Sequence, residues 1–99
     1  MKSYNRLYVL VREDLAPSYA AVQAGHGAAQ YMVEYPGVWQ NQTLIYLRVR
    51  DEKQLLAWRD KLIIKGIPYA LFREPDIGNE ATSLAAASDG KLFKDLPLL

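Results

Sequence analysis

The sequence predicts a small α/β domain: a mixed four-stranded sheet of three parallel strands with the last strand antiparallel, in one unit spanning residues 1–99. Three observations predict it. Three short apolar runs rich in β-branched and aromatic residues alternate with two segments of helical spacing, an order that favours right-handed crossovers and a parallel three-stranded core. A weaker fourth run, Ala81 to Ser88, follows a stretch too short for another crossover helix, so it returns antiparallel to the third strand. The chain has 99 residues and is 51% hydrophobic, enough to bury one core without metal or disulfide staples.

The first strand is Leu7-Tyr-Val-Leu-Val11, the second Thr43-Leu-Ile-Tyr-Leu-Arg-Val49 and the third Ile67-Pro-Tyr-Ala-Leu-Phe72. Each is apolar enough to be covered on both faces. Pro68 has no N–H for a ladder and belongs at the start of its strand. Between the first two strands an alanine-rich helix opens at Pro17 or Ser18 and must end by Tyr35-Pro36-Gly37. Between the second and third, Asp51 caps a helix with Gln54 three residues on; Leu55, Trp58 and Leu62 recur at helical spacing, and Gly66 supplies a left-handed stop. The tail from Gly90 ends in Leu96-Pro-Leu-Leu99, which is apolar enough to dock.

Composition narrows the function classes. There is no cysteine, so no disulfide framework or thiolate metal site is available, and a cytoplasmic setting fits best. The polar opening Met1 to Arg6 and the short run after it fit neither a signal peptide nor a membrane span. Twelve Lys and Arg stand against 11 Asp and Glu, a balance that argues against broad coating of nucleic acid.

The three long strands close alike: Val11-Arg12-Glu13-Asp14, Val49-Arg50-Asp51-Glu52 and Phe72-Arg73-Glu74-Pro75-Asp76. On the carboxyl edge of a parallel sheet, where such folds place their ligand crevice, these arginines can hold a phosphate or carboxylate. Equally, they can mark where a buried strand meets water and pair with the neighbouring acids. On the first helix, Tyr19, Gln23, His26, Gln30 and Glu34 fall on one polar stripe, and Ala21, Val22, Gly25, Ala28, Ala29, Met32 and Val33 on a second that reads as the core face. His26 is expected half-buried, with Gln23 or Gln30 holding a ring nitrogen, or else as an acid or base near neutral pH. Metal ligation is not expected, for want of a second histidine or a cysteine. A triad of Ser83, His26 and Asp76 lacks a nucleophile-elbow motif.

Val11-Arg12-Glu13-Asp14-Leu15, followed by Ala21-Val22-Gln23-Ala24-Gly25-His26-Gly27-Ala28-Ala29, resembles the opening strand and first helix of the type II peptidyl-tRNA hydrolase family. Glu74-Pro75-Asp76-Ile77-Gly78-Asn79-Glu80-Ala81-Thr82-Ser83 resembles its acidic loop and following strand, so the likeness covers nearly the whole chain. The resemblance implies a three-layer α/β/α fold, often dimeric, and hydrolysis of the ester joining a peptide to the 3′ end of tRNA, with no cofactor and no required metal. Position by position it marks Gln23 and His26 on the helix, Glu74 or Asp76 in the loop, Thr82 on the last strand and Asp14 after the first. The family's active-site lysine falls on Tyr19, so that the stabilisation of a developing oxyanion is either lost or moved to an arginine such as Arg12 or Arg73.

Three functions follow as expectations. The first is a peptidyl-tRNA hydrolase-like esterase acting in translation. Here Asp76 or Glu74, with Thr82, activates water, Tyr19, Gln23, His26 and Asp14 orient the substrate, and Arg12 and Arg73 hold phosphates of the tRNA. The second is a non-catalytic tRNA- or protein-binding module on the same fold. The third is a dimer-forming interaction domain that uses Tyr4, Tyr31, Tyr35, Trp39 and the tail.

Overall fold

A computed structural model describes residues 4–99 and, at Tyr4, the backbone alone. The opening Met1 to Ser3 and the contact role expected of the Tyr4 side chain lie outside the described residues. The elements run β1 (Tyr4–Arg12), α1 (Pro17–Glu34), β2 (Trp39–Val49), α2 (Glu52–Lys65), β3 (Ala70–Glu74) and β4 (Glu80–Ala87), with short 3-10 turns at Pro75–Ile77 and Lys91–Phe93.

The sheet order is β2-β1-β4-β3. β1 pairs in parallel with β2, while β4 lies between β1 and β3 and pairs antiparallel with both. The uninterrupted parallel core expected from the sequence therefore does not form. The third strand also starts later than expected: Ile67 to Tyr69 lie outside β3, and Pro68 precedes it. β4 earns the central place by composition, since Ala81 to Ala87 are all buried and its small side chains let a helix approach on either face.

α1 covers one face, on a core of Leu7, Val9, Val11, Ala20, Ala24, Ala28, Tyr31 and Ala85. α2 covers the other, over Tyr8, Leu10, Val49, Leu55, Leu62, Leu84 and Phe93. The alternation along β1 is the period of two that a sheet covered on both faces requires. α2 follows its sequence signals. Asp51 accepts from the Gln54 N–H at 2.9 Å, and the left-handed Gly66 closes the last turn by donating to Ile63.

α1 departs from its expected orientation. Its buried residues are Ala20, Gln23, Ala24, Gly27, Ala28 and Tyr31, whereas Ala21, Val22, Ala29, Met32 and Val33 are exposed and Gly25 is half-buried. Of the stripe read as the core face only Ala28 is buried. Small residues beneath the helix bring it close to the sheet, and the Tyr31 ring, 2% exposed, supplies the bulk that the valines and methionine were expected to provide.

The tail docks on the free edge of β2. Arg48 N–H donates to Pro97 and Leu99 N–H to Tyr46, at 2.9 and 3.0 Å, covering part of an edge strand that would otherwise be open to pairing. No helix among the described residues is long and apolar enough to cross a membrane.

Candidate functional site

The residues marked by sequence meet where α1 crosses β3 and β4. The pivot is Gln23, fully buried. Its Nε2 donates to Glu74 Oε1 at 2.9 Å, and its Oε1 accepts from the Thr82 hydroxyl at 2.5 Å. The backbone carbonyl of Gln23 also accepts from Ser83 Oγ at 2.7 Å. Two neighbouring strand residues thus reach the same helix, which regular alternation forbids. The cause is a break in the ladder: Phe72 pairs with Ser83 but Arg73 pairs with Ala81. Thr82 is the extra residue of a β-bulge, a device that re-aims side chains beside functional sites. Ala81 and Leu84 stay in the α2-side core, while Thr82 turns to α1.

Gly27 permits this contact. A Cβ there would lie 2.6 Å from Ser83 Oγ and 3.0 Å from Val9 Cγ1. Ser83, buried and bonded to the helix carbonyl, is a packing residue in this arrangement, away from any triad with His26.

Glu74 is also buried, 8% exposed. Its second oxygen accepts from the Asp76 N–H at 3.4 Å, which caps the turn at Pro75–Ile77 and leaves the Asp76 carboxylate facing water. His26 is exposed rather than half-buried, and neither glutamine holds it: Gln23 is engaged as above, and Gln30 donates to Glu34 at 2.7 Å. Its ring instead stacks on Phe72, with centroids 4.5 Å apart and planes 4° from parallel. Phe72 is a site residue the sequence reading missed, visible only once the register of β3 is known.

The Tyr19 hydroxyl is buried and has no hydrogen-bond partner. Burial, reinforced by the charges of Glu74, Asp76 and Glu80, pushes its phenol above the ordinary value. It is a protonated donor without an acceptor at neutral pH.

Arg12 points inward. It is 7% exposed and engages both Asp14 oxygens at 2.9 and 3.0 Å, Glu80 at 2.7 Å and the Ala81 carbonyl at 3.2 Å. These contacts occupy the guanidinium that sequence assigned to a phosphate, and Asp14 is its clamp. Glu80, whose role the sequence did not reveal, is the second. Arg73 lies exposed on the rim and donates to the Asn79 carbonyl at 3.3 Å. Arg50 is exposed as well. Of the contact residues expected elsewhere, Tyr31 and Trp39 are buried, the Tyr35 hydroxyl donates to the Tyr69 carbonyl, and the tail is docked. Among the described residues no cluster of three or more acids or histidines is placed to hold a metal ion.

The Arg12 hydrogen bond holds the Asp14 carboxyl below its ordinary value. A carboxyl lowered on folding stabilises the fold above its unfolded pKa near ~4, and the effect is lost as pH falls through the folded value. Because the Asp14 side chain is 41% exposed, Asp14→Asn is expected to cost under about 1 kcal/mol at pH 7 and nothing near pH 2. Thermal melts of both proteins across that range check this: the gap should close below pH 4.

The sequence matches no family model and no curated protein. Among solved structures, that of a protein of unknown function from Agrobacterium tumefaciens is similar over 100% of this chain and 99% of that one, with a TM-score of 0.71 and 15% identity. At that identity the likeness is one of fold: a small α/β unit with a mixed four-stranded sheet and two helices.

Proposed function

We propose that the chain is a peptidyl-tRNA hydrolase-like esterase, cleaving the ester between a peptide and the 3′ end of tRNA. The observation that carries the reading is the hydrogen-bonded set of Glu74, Gln23 and Thr82 beneath an exposed Asp76 and the unpartnered Tyr19 hydroxyl. Asp76 is the acid chosen for chemistry, because both Glu74 oxygens are engaged and its carboxylate is not. In this reading Asp76 takes a proton from water as the water oxygen attacks the ester carbon. The ester C–O bond then breaks, and the ribose oxygen leaves with the proton that Asp76 returns to it. Tyr19 stands where the family has its lysine, and Glu74, Gln23 and Thr82 position the loop and strand. The flat His26–Phe72 stack offers a surface for the terminal base, and Arg73 and Arg50 stand at the rim for phosphates.

Incubating the protein with a peptidyl-tRNA at neutral pH in EDTA is expected to release free tRNA. Asp76→Asn should lower the rate about 100-fold or more, with Glu74→Gln acting mainly on stability. No turnover above the protein-free rate by a folded sample rejects the enzyme. The second reading, a non-catalytic tRNA-binding module, is favoured by the engagement of Arg12 with Asp14 and Glu80 and by a neutral tyrosine at the lysine position. Salt-dependent tRNA binding without turnover is its signature.

A further inference from the structure

A cleft of about 540 Å³ opens at the end of the sheet away from Gln23, between residues 65–68, where α2 stops, and the turn that follows β4. Its cause lies in the strand ladder. β4 still pairs with β1 at Ala87, opposite Leu7, but its pairing with β3 ends two residues earlier, at Ala70 and Ala85. Continuing that register would set Ala87 against Pro68, which has no N–H to give, and the chain from Ile67 to Tyr69 lies outside the strand instead. Ala87, 5% exposed, is left in the cleft with Ile67, Pro68 and Leu92 as apolar lining. Five residues of β4, about 17 Å, separate Ala87 from Thr82.

We propose that this cleft binds a small carboxylate with an apolar body, at a site separate from the one proposed for ester hydrolysis. Three polar donors line it, Lys65, Lys91 and Ser88. Both lysines are exposed, and neither ammonium group forms an ion pair among the described residues. The Ser88 hydroxyl accepts from the Gly90 N–H at 3.2 Å, which leaves its own proton to donate. Against them stands one acid, Asp89, which accepts from the Lys91 N–H at 3.0 Å. The lining thus carries two positive charges and one negative, and the excess of one matches a monoanion rather than a phosphate dianion.

The walls are set before a ligand arrives. Arg6 of β1 donates to the Asp89 carbonyl at 3.4 Å. Gly90 takes left-handed backbone, φ 96°, where a Cβ would strike the Tyr8 hydroxyl, so the turn carrying Ser88 and Lys91 is held against β1. On the other wall the Gly66 and Ile67 N–H groups donate to the Ile63 and Leu62 carbonyls at 3.1 and 2.9 Å. These bonds remove part of the negative potential that a helix C-terminus turns on an anion. Fixed walls lower the ordering cost of binding, and the volume lies within the ~300–1,000 Å³ of small-molecule sites.

Octanoate, octanamide and octylamine share one chain and differ in charge, so together they separate the carboxylate from the apolar body. In an amide-resolved NMR titration of the full chain at neutral pH, octanoate is expected to bind with a Kd of about 1 mM or tighter, shifting the amides of residues 65–67 and 87–92. Octanamide should bind at least about fivefold more weakly and octylamine not at all, while octyl phosphate should bind no tighter than octanoate. Lys65→Gln and Lys91→Gln, at exposed positions, should keep the fold, by their melts, and each weaken octanoate by about three- to tenfold. Lys53→Gln, in the first turn of α2 and outside the cleft, should leave it unchanged. No saturation below about 10 mM, equal binding of octanoate and octanamide, tighter binding of the phosphate, or shifts centred on the exposed Val22, Met32 and Val33 of α1 overturn the proposal. So does a loss with Lys53→Gln as large as that with Lys65→Gln.

Discussion

Gln23→Ala is expected to lower the stability of the fold by about 3 to 5 kcal/mol, the largest effect of any single substitution at the candidate site. The removed amide serves two buried partners. Without its N–H, the Glu74 carboxylate, 8% exposed, loses the Gln23 side-chain donor; without its carbonyl, the Thr82 hydroxyl, fully buried, loses its acceptor. An unsatisfied buried polar group costs about 1 to 3 kcal/mol and a charged one more, and the side-chain cavity adds to both. For a domain of this size the midpoint of thermal unfolding should fall by more than about 10 °C. Urea unfolding of Gln23→Ala, Glu74→Ala and the double variant separates coupling from packing. The double should cost clearly less than the sum of the singles, because removing the carboxylate removes the group that Gln23 satisfies. Additive losses, or a single loss below about 1 kcal/mol, would mean that the three groups do not act as one network.

Much of α2 was legible in the sequence, because its signals are local: Asp51, Gln54 and Gly66 act through bonds within a turn of the helix. The place of β4 was not. Its neighbours on both sides come from distant parts of the chain, and nothing in Ala81 to Ala87 encodes which two strands will flank it. α1 misled for a different reason. Beside its polar stripe the helix is apolar on two sides, Ala20, Ala24, Ala28 and Tyr31 on one and Val22, Ala29, Met32 and Val33 on the other, so periodicity alone cannot choose between them, and what turned the helix was a polar residue. Burying Gln23 becomes favourable only when Glu74 and Thr82 are in place to bond it, and Thr82 is in place only through the bulge opposite Phe72. The resemblance named Gln23, His26, Thr82 and the acidic loop from their motifs, but could not distinguish Glu74 from Asp76. Burial and capping now give them different tasks. Arg12 illustrates the limit of reading strand ends as a ligand grip: of its two acidic partners Asp14 lies 2 residues away in the chain but Glu80 lies 68 away, and together they engage the guanidinium and hold it inward.

Gly27→Val is expected to destabilise the fold by about 3 kcal/mol or more, through separation of α1 from β4. Two effects compete at this position. A side chain in place of glycine favours the helix, by up to about 1 kcal/mol for alanine and less for a β-branched residue. Against it stands the contact with the sheet, since the first added carbon already falls 2.6 Å from Ser83 Oγ, 3.1 Å from Ser83 Cβ and 3.0 Å from Val9 Cγ1. Ser83 cannot swing clear without breaking its 2.7 Å bond to the Gln23 carbonyl, and Val9 is fully buried in the core. The helix must lift, and lifting it stretches the Gln23 bonds to Glu74 and Thr82 as well, so overpacking and loss of the polar network add. Gly27→Ala should show the same conflict at smaller scale, a net loss of about 1 to 2 kcal/mol. Ser83→Gly removes two of the three close contacts and should recover part of that loss in the double variant, a coupling that urea unfolding measures directly. Gly25 on the same helix supplies the contrast. Its Cβ would enter open space, so in dilute solution Gly25→Ala is expected to gain up to about 1 kcal/mol from helix propensity alone. Opposite signs for alanine at two glycines two residues apart would place the close helix–sheet contact at Gly27, and a gain at both would remove it.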